Sequence, residues 1–181
     1  DVITFLEELG EKAKVRAKEE LNEIKELAIK DGIIDFRSSD MSYYSEKLKK
    51  AQYDLDEEYY RPYFEQESVL NGFFDFLHQM FNIKFTKVDV PSWDEKVKVY
   101  DLSENDKTMA RIYIDLEARK DKRGGAWMNN WHSHYKTSDG EIKLPTAYIV
   151  GNFPQSTKDT ASLLRHSDVV TLFHEMGHAL H

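Results

Sequence analysis

Residues 108–119 read TMARIYIDLEAR, and their alternation decides what kind of chain this is. Ala110, Ile112, Ile114 and Leu116 fall on one side of an extended backbone. Met109, Arg111, Tyr113, Asp115 and Glu117 fall on the other, which is the period of a strand with one apolar face. The same texture runs through IKFTKVDV (83–90), KVKVYDLS (96–103) and LPTAYIVGNF (144–153), the last ending near Gly151 and Asn152. KDKRGGAW (120–127) between them reads as a glycine loop.

Upstream the period changes to that of helices. Val2, Phe5, Leu6, Leu9, Ala13, Ala17, Leu21, Ile24 and Ala28 recur at spacings of three and four, predicting a helix over 2–30 with a Glu- and Lys-rich opposite face. Gly32 breaks it. A second helix is expected over 42–55 with Ser42 as N-cap. A third is expected after Pro62, over 63–82, turning Phe73, Phe74, Leu77, Met80 and Phe81 toward a core. Downstream of the strands, Ser167 and Asp168 suit the cap or first turn of a helix starting near Val169. The fold class is therefore α+β: N-terminal helices, a small mainly antiparallel sheet, then one more helix. The division expected is a helical segment over 1–82, and over 83–181 the sheet with the last helix.

Bulk properties narrow the function. With 40 % apolar and 32 % charged residues in 181, the chain is a globular one. A net charge of −8 argues against nucleic acid as a partner, because phosphate binding needs a concentrated basic face. The longest basic run, Arg119 to Arg123, is interrupted by Asp121. No apolar run approaches the roughly 20 residues that span a bilayer, so no membrane partner is expected. Cysteine is absent, which excludes disulfides, thiolate metal sites and a cysteine nucleophile, and is compatible with a cytoplasmic location.

The chemistry concentrates in VVTLFHEMGHALH (169–181), where His174, Glu175 and His178 stand in the order H-E-x-x-H. On a helix, positions four apart are separated by about 40° around the axis and about 6 Å along it, so two imidazoles converge on one point. Zn²⁺ takes such neutral nitrogen ligands and leaves a position for water. Glu175, at the edge of the same face, is placed to take a proton from attacking water. Val169, Val170, Leu172, Phe173, Met176 and Leu180 are expected to pack the other sides. Gly177 costs about 1 kcal/mol against alanine inside a helix, which points to close approach by another backbone or a substrate. His181 returns to the same face but lies about 10 Å along the axis from His174, too far to share the metal. His132 and His134 are expected on one strand face, His166 at a helix start and His78 on a core helix, none of them as ligands. A catalytic zinc site takes three protein ligands, and no third is defensible by spacing.

LFHEMGHALH, together with ARKDKRGGAWMNN, LPTAYIVGNF and MSYYSEKLKKAQYDLDEEYYRPYF, resembles the thimet oligopeptidase family of zinc metallopeptidases, within it the oligopeptidase A and dipeptidyl carboxypeptidase group. The resemblance covers most of residues 35–181. It implies that His174 and His178 are zinc ligands and Glu175 the general base, in an enzyme that cleaves short unstructured peptides inside a mostly helical body. It implies that TAYIVGNF lines the cleft, where a peptide adds by β-augmentation and meets Asn152 and Phe153. It also implies a third ligand, a glutamate, some two dozen residues beyond the motif, with further transition-state groups after that. The expectation is thus a central fragment of a larger peptidase, inactive alone. The rival expectation is a non-catalytic helical interaction module whose motif histidines are packing residues. Internal cleavage and release of dipeptides remain equally open.

Overall fold

The Asp1 carboxylate accepts hydrogen bonds from the Ile3 and Thr4 amides at 3.0 and 3.3 Å and so starts α1 (Val2–Lys30). The helix stops at Asp31, and Gly32 turns the chain with φ +89°, a left-handed value that favours glycine. α2 (Met41–Tyr53) follows a 3-10 turn over Ser38–Asp40. Ser42 is therefore inside the helix and Asp40 occupies the N-cap, because the 3-10 turn brings the chain into helical geometry earlier than expected. The two helices form a hairpin with Ala28 and Tyr44 buried between them and Lys47 paired to Asp31. The structure is a computed structural model describing residues 1–54 and 57–181. Leu55, expected to end α2, lies outside the described residues.

The chain divides into two units, Asp1–Asp56 and Glu57–His181. The second unit opens with α3 (Glu57–Tyr60) and a 3-10 turn through Pro62. Glu65 then caps α4 (Gln66–Phe81), its carboxylate accepting from the Glu67 and Ser68 amides at 2.9 and 2.7 Å. The division expected between residues 82 and 83 runs through this unit, because α4 buries Leu70, Phe73, Phe74 and Leu77 in the same core as the strands. Met80 and Phe81 do not join it. They are 56 % and 53 % exposed, since the last turn of α4 runs past the core before the helix closes at Asn82.

Seven strands follow: β1 (Lys84–Val88), β2 (Lys98–Glu104), β3 (Lys107–Glu117), β4 (Trp127–His132), β5 (Tyr135–Lys136), β6 (Ile142–Lys143) and β7 (Thr146–Phe153). Five form one sheet in the order β1-β2-β3-β7-β4, and β5 and β6 form a small hairpin. Three of the four pairings are antiparallel; β7 lies parallel to β3 and is inserted between β3 and β4. The alternation of β3 is realised as predicted, with Ile112, Ile114 and Leu116 buried in the core. At Gly151 an added Cβ would lie 3.2 Å from the Leu116 carbonyl, where β3 bulges against β7, so a larger residue would have to push the backbone there by a few tenths of an ångström.

α5 (His166–Leu180) lies over β4 and β7. It begins three residues before Val169. The Asp168 carboxylate accepts from the Arg165 amide at 2.8 Å, the first-turn role expected of it, whereas Ser167 is already helical. Leu172 and Met176 are buried, but Val170 is 55 % and Phe173 40 % exposed, because only one stripe of a surface helix meets the sheet. Phe173 instead stacks on Phe73, ring centroids 3.7 Å apart.

Ile114, 1 % exposed at the centre of β3, is the sharpest test of this core. Ile114→Ala is expected to lower the unfolding free energy by about 2–5 kcal/mol in denaturant titration.

Candidate metal centre

Seating α5 on its Leu172 and Met176 stripe turns His174 and His178 outward, and both are exposed. Their Nε2 atoms approach to 3.1 Å with the ring planes at 87°. A separation of 3.1 Å is that of a ring N–H to N hydrogen bond, and it lies near the roughly 3.3 Å between two nitrogens bound tetrahedrally to one Zn²⁺ at about 2.0–2.1 Å. Neither histidine is packed into the core formed by the described residues. Glu175 is half-buried on the flank of the same helix. Among the described residues no group of three or more His, Asp or Glu side chains is gathered to hold a metal. The residues thus fit part of a zinc site, two imidazoles on an open face.

A groove of about 440 Å³ runs from His178 along the end of α5. His178 lines it from the helix, His181 from just past the helix end, Met128 and Asn130 from β4, and His134 from the turn after β4. His134 is therefore not on a strand face with His132, because β4 ends at His132 and the chain turns there. Gly177 leaves open space: among the described residues no atom beyond its chain neighbours and the helix's own backbone lies within 4 Å of the position a Cβ would take.

The side chains of the other two expected contacts are engaged within the protein. The Asn152 side chain donates from Nδ2 to the Arg123 and Gly125 carbonyls, both at 2.7 Å. Phe153 is buried in the core. Over Thr146–Val150 the TAYIVGNF strand offers no edge for the expected peptide addition, because β7 is paired there with β3 on one side and β4 on the other. The free edge beside α5 belongs to β4, which has β7 as its sole strand neighbour among the described residues.

Composition and spacing did not reveal a second polar centre on the outer face of the sheet. Asp115, 1 % exposed, accepts two hydrogen bonds from Arg119 at 2.7 and 2.8 Å, one from Lys122 at 2.8 Å and one from Trp93 at 2.8 Å. Lys122 also donates to the Asp115 and Glu117 carbonyls. Burial pushes the Asp115 carboxyl up, but the bonds from Arg119, Lys122 and Trp93 outweigh it and hold the group below the usual carboxylate range. Burial likewise opposes ionisation of Glu117, and bonds from Lys96 and Ser156 carry it below the usual range. Burial pulls the Lys122 ammonium down, and Asp115 offsets only part of that. The available signal was Asp115 on the outer face of β3 followed by basic residues four and seven positions on.

The profile described as peptidase family M3 matches residues 1–181. Oligopeptidase A of Haemophilus influenzae is 38 % identical over 183 residues, an alignment covering 99 % of this chain and 27 % of that protein. Oligopeptidase A of Escherichia coli is 35 % identical with the same coverage, and dipeptidyl carboxypeptidase of Escherichia coli is 36 % identical over 99 % of this chain and 26 % of its own length. The chain thus spans about a quarter of the length of these curated relatives. No helix among the described residues is long and apolar enough to cross a membrane.

The depressed carboxyls set a pH dependence. A carboxyl held below its unfolded pKa contributes stability that is fully present above that pKa and is lost as pH falls through the folded value. Unfolding free energy is therefore expected to decline as pH falls below about 4, and Asp115→Asn to flatten that decline. At neutral pH the same substitution should cost about 3 kcal/mol by denaturant titration, the low end for breaking a buried pair, since Arg119 keeps solvent contact.

Proposed function

The chain belongs to peptidase family M3, and from that membership we propose that it carries part of the active site of a zinc-dependent enzyme hydrolysing peptide bonds in short oligopeptides. The observation that supports this most is the 3.1 Å approach of the His174 and His178 Nε2 atoms on the open face of α5, with Glu175 beside them. His174 and His178 would hold the ion through their imidazole nitrogens. When bound, zinc supplies Lewis acidity, which acidifies water toward a pKa of about 7 and polarises a carbonyl. Glu175 accepts the proton of the attacking water and delivers it to the leaving amine nitrogen. No covalent adduct with the chain is required. The third protein ligand that a catalytic zinc takes is supplied from outside these residues in the whole protein, so the 181 residues alone bind zinc weakly and do not turn over peptides.

An extended peptide pairs with the free edge of β4, whose Met128 and Asn130 line the groove that His178 also lines. Peptide main chain is thereby aligned across the helix that bears the catalytic groups, which converts a bimolecular encounter into a positioned one. Asn152 and Phe153 can contribute to such a site through their main chain or through what they hold in place. Substrates are short peptides rather than nucleic acid or membrane lipid, and a cytoplasmic location belongs to the same reading.

In the whole protein, Glu175→Gln is expected to lower kcat at least about 100-fold on a blocked peptide while metal content stays at the wild-type level. Hydrolysis retained by that variant would remove Glu175 from the mechanism.

A further inference from the structure

Asn152 was a candidate for touching substrate, but both N–H groups of its amide are spent inside the protein, on the carbonyls of Arg123 and Gly125. Those carbonyls belong to the loop that leaves β3 at Glu117 and enters β4 at Trp127. The loop crosses from one neighbour of β7 to the other, past the end of β7 on which Asn152 sits. Its first half is anchored to β3 by Arg119 and Lys122 through Asp115. Its second half turns at Gly125, where φ is +90°, and β4 starts two residues later.

The register of β4 is thus constrained at both ends of a short regular stretch. It begins at the pair Trp127↔Val150, two residues before Asn152, and is interrupted by the bulge between Asn130 and His132. Between those limits, β4 has β7 on one side and no strand on the other among the described residues. An edge strand held on one side only has little else to prevent it from fraying or slipping. The two bonds from Asn152 reach the carbonyls just before the strand begins, where a clamp has most control over its position.

We propose that Asn152 is a positioning residue: by holding the Arg123 and Gly125 carbonyls it sets where edge strand β4 offers its main chain to an extended peptide beside His174 and His178. This rests on the reading of the site as a peptidase with β4 as its peptide-pairing edge. It assigns Asn152 an effect on peptide alignment without contact to peptide, and it makes the glycine loop part of substrate recognition.

The test uses the whole protein with a blocked peptide and a series of its analogues, each N-methylated at one backbone nitrogen around the scissile bond. In the wild type, at least one analogue should lose about tenfold in kcat/KM, the size of one lost main-chain hydrogen bond. Asn152→Ala should lower kcat/KM of the unmodified peptide by a similar factor, mainly through KM, and should lose no more on the sensitive analogue. Asn152→Gln, which keeps an amide, should recover part of the loss. Equal loss on every peptide, or no loss on any, would overturn the proposal, because a general structural role does not distinguish backbone methylation. Loss of the folded state in both variants would also overturn it, since a loop clamp and not a core side chain is claimed. A wild type that cleaves all analogues equally removes the β4 pairing beneath the proposal, whereas a wild type that cleaves none of the peptides removes the peptidase reading itself.

Discussion

Leu172 and Met176 are four residues apart on α5, and their side chains are 1 % and 0 % exposed against the sheet. His174 and His178 are also four apart, each two residues beyond one of that buried pair, and so about 200° away around the helix. Burying the first pair therefore turns the second outward. The convergence of the two Nε2 atoms follows from where the helix is seated as much as from the spacing of the motif. Nothing in H-E-x-x-H alone says that its face is open. The Leu172 and Met176 contacts show which face is turned to the core.

The sheet supplies the other half of the arrangement. Had β3, β4 and β7 been joined in sequence as a meander, β4 would lie inside the sheet and β7 at its edge. Instead β7 returns between them, parallel to β3, and leaves β4 outermost under α5. A strand with an unpaired edge is usually a liability. Here that edge is the one next to the histidine pair. The loop that permits this crossing is held by a buried ion cluster on Asp115 and by the Asn152 amide. A buried carboxylate between two cations is weak support for stability compared with apolar packing, so its value lies in fixing one loop geometry.

Much of this was legible in the residues. The alternation of 108–119 placed Ile112, Ile114 and Leu116 in the core, and the helical periods placed α4 and α5, because both signals come from a single element's own contact with apolar surroundings; the same period placed α1, although Phe5, Leu6 and Leu9 of its apolar stripe are exposed among the described residues. The parallel insertion of β7 was not legible, since strand order depends on which partner a strand meets. The same limit explains Asn152. Its identity suggests a polar contact, but only the fold shows that its contacts are two loop carbonyls and that β7 is paired on both sides over Thr146–Val150. Met80, Phe81 and Val170 have the right period for burial and miss it because the surface they face ends before they do. Asp115 was visible as an acid on an otherwise strand-like face, yet its cations lie in a loop whose path the sequence does not dictate locally.

The central claim is that His174 and His178 present Nε2 to one metal ion from the open face of α5. X-ray absorption at the zinc edge of the whole protein measures this directly. Two imidazole nitrogens are expected in the first shell at about 2.0–2.1 Å, with one lost in each of His174→Ala and His178→Ala. A first shell without imidazole, or one unchanged by both substitutions, would contradict it.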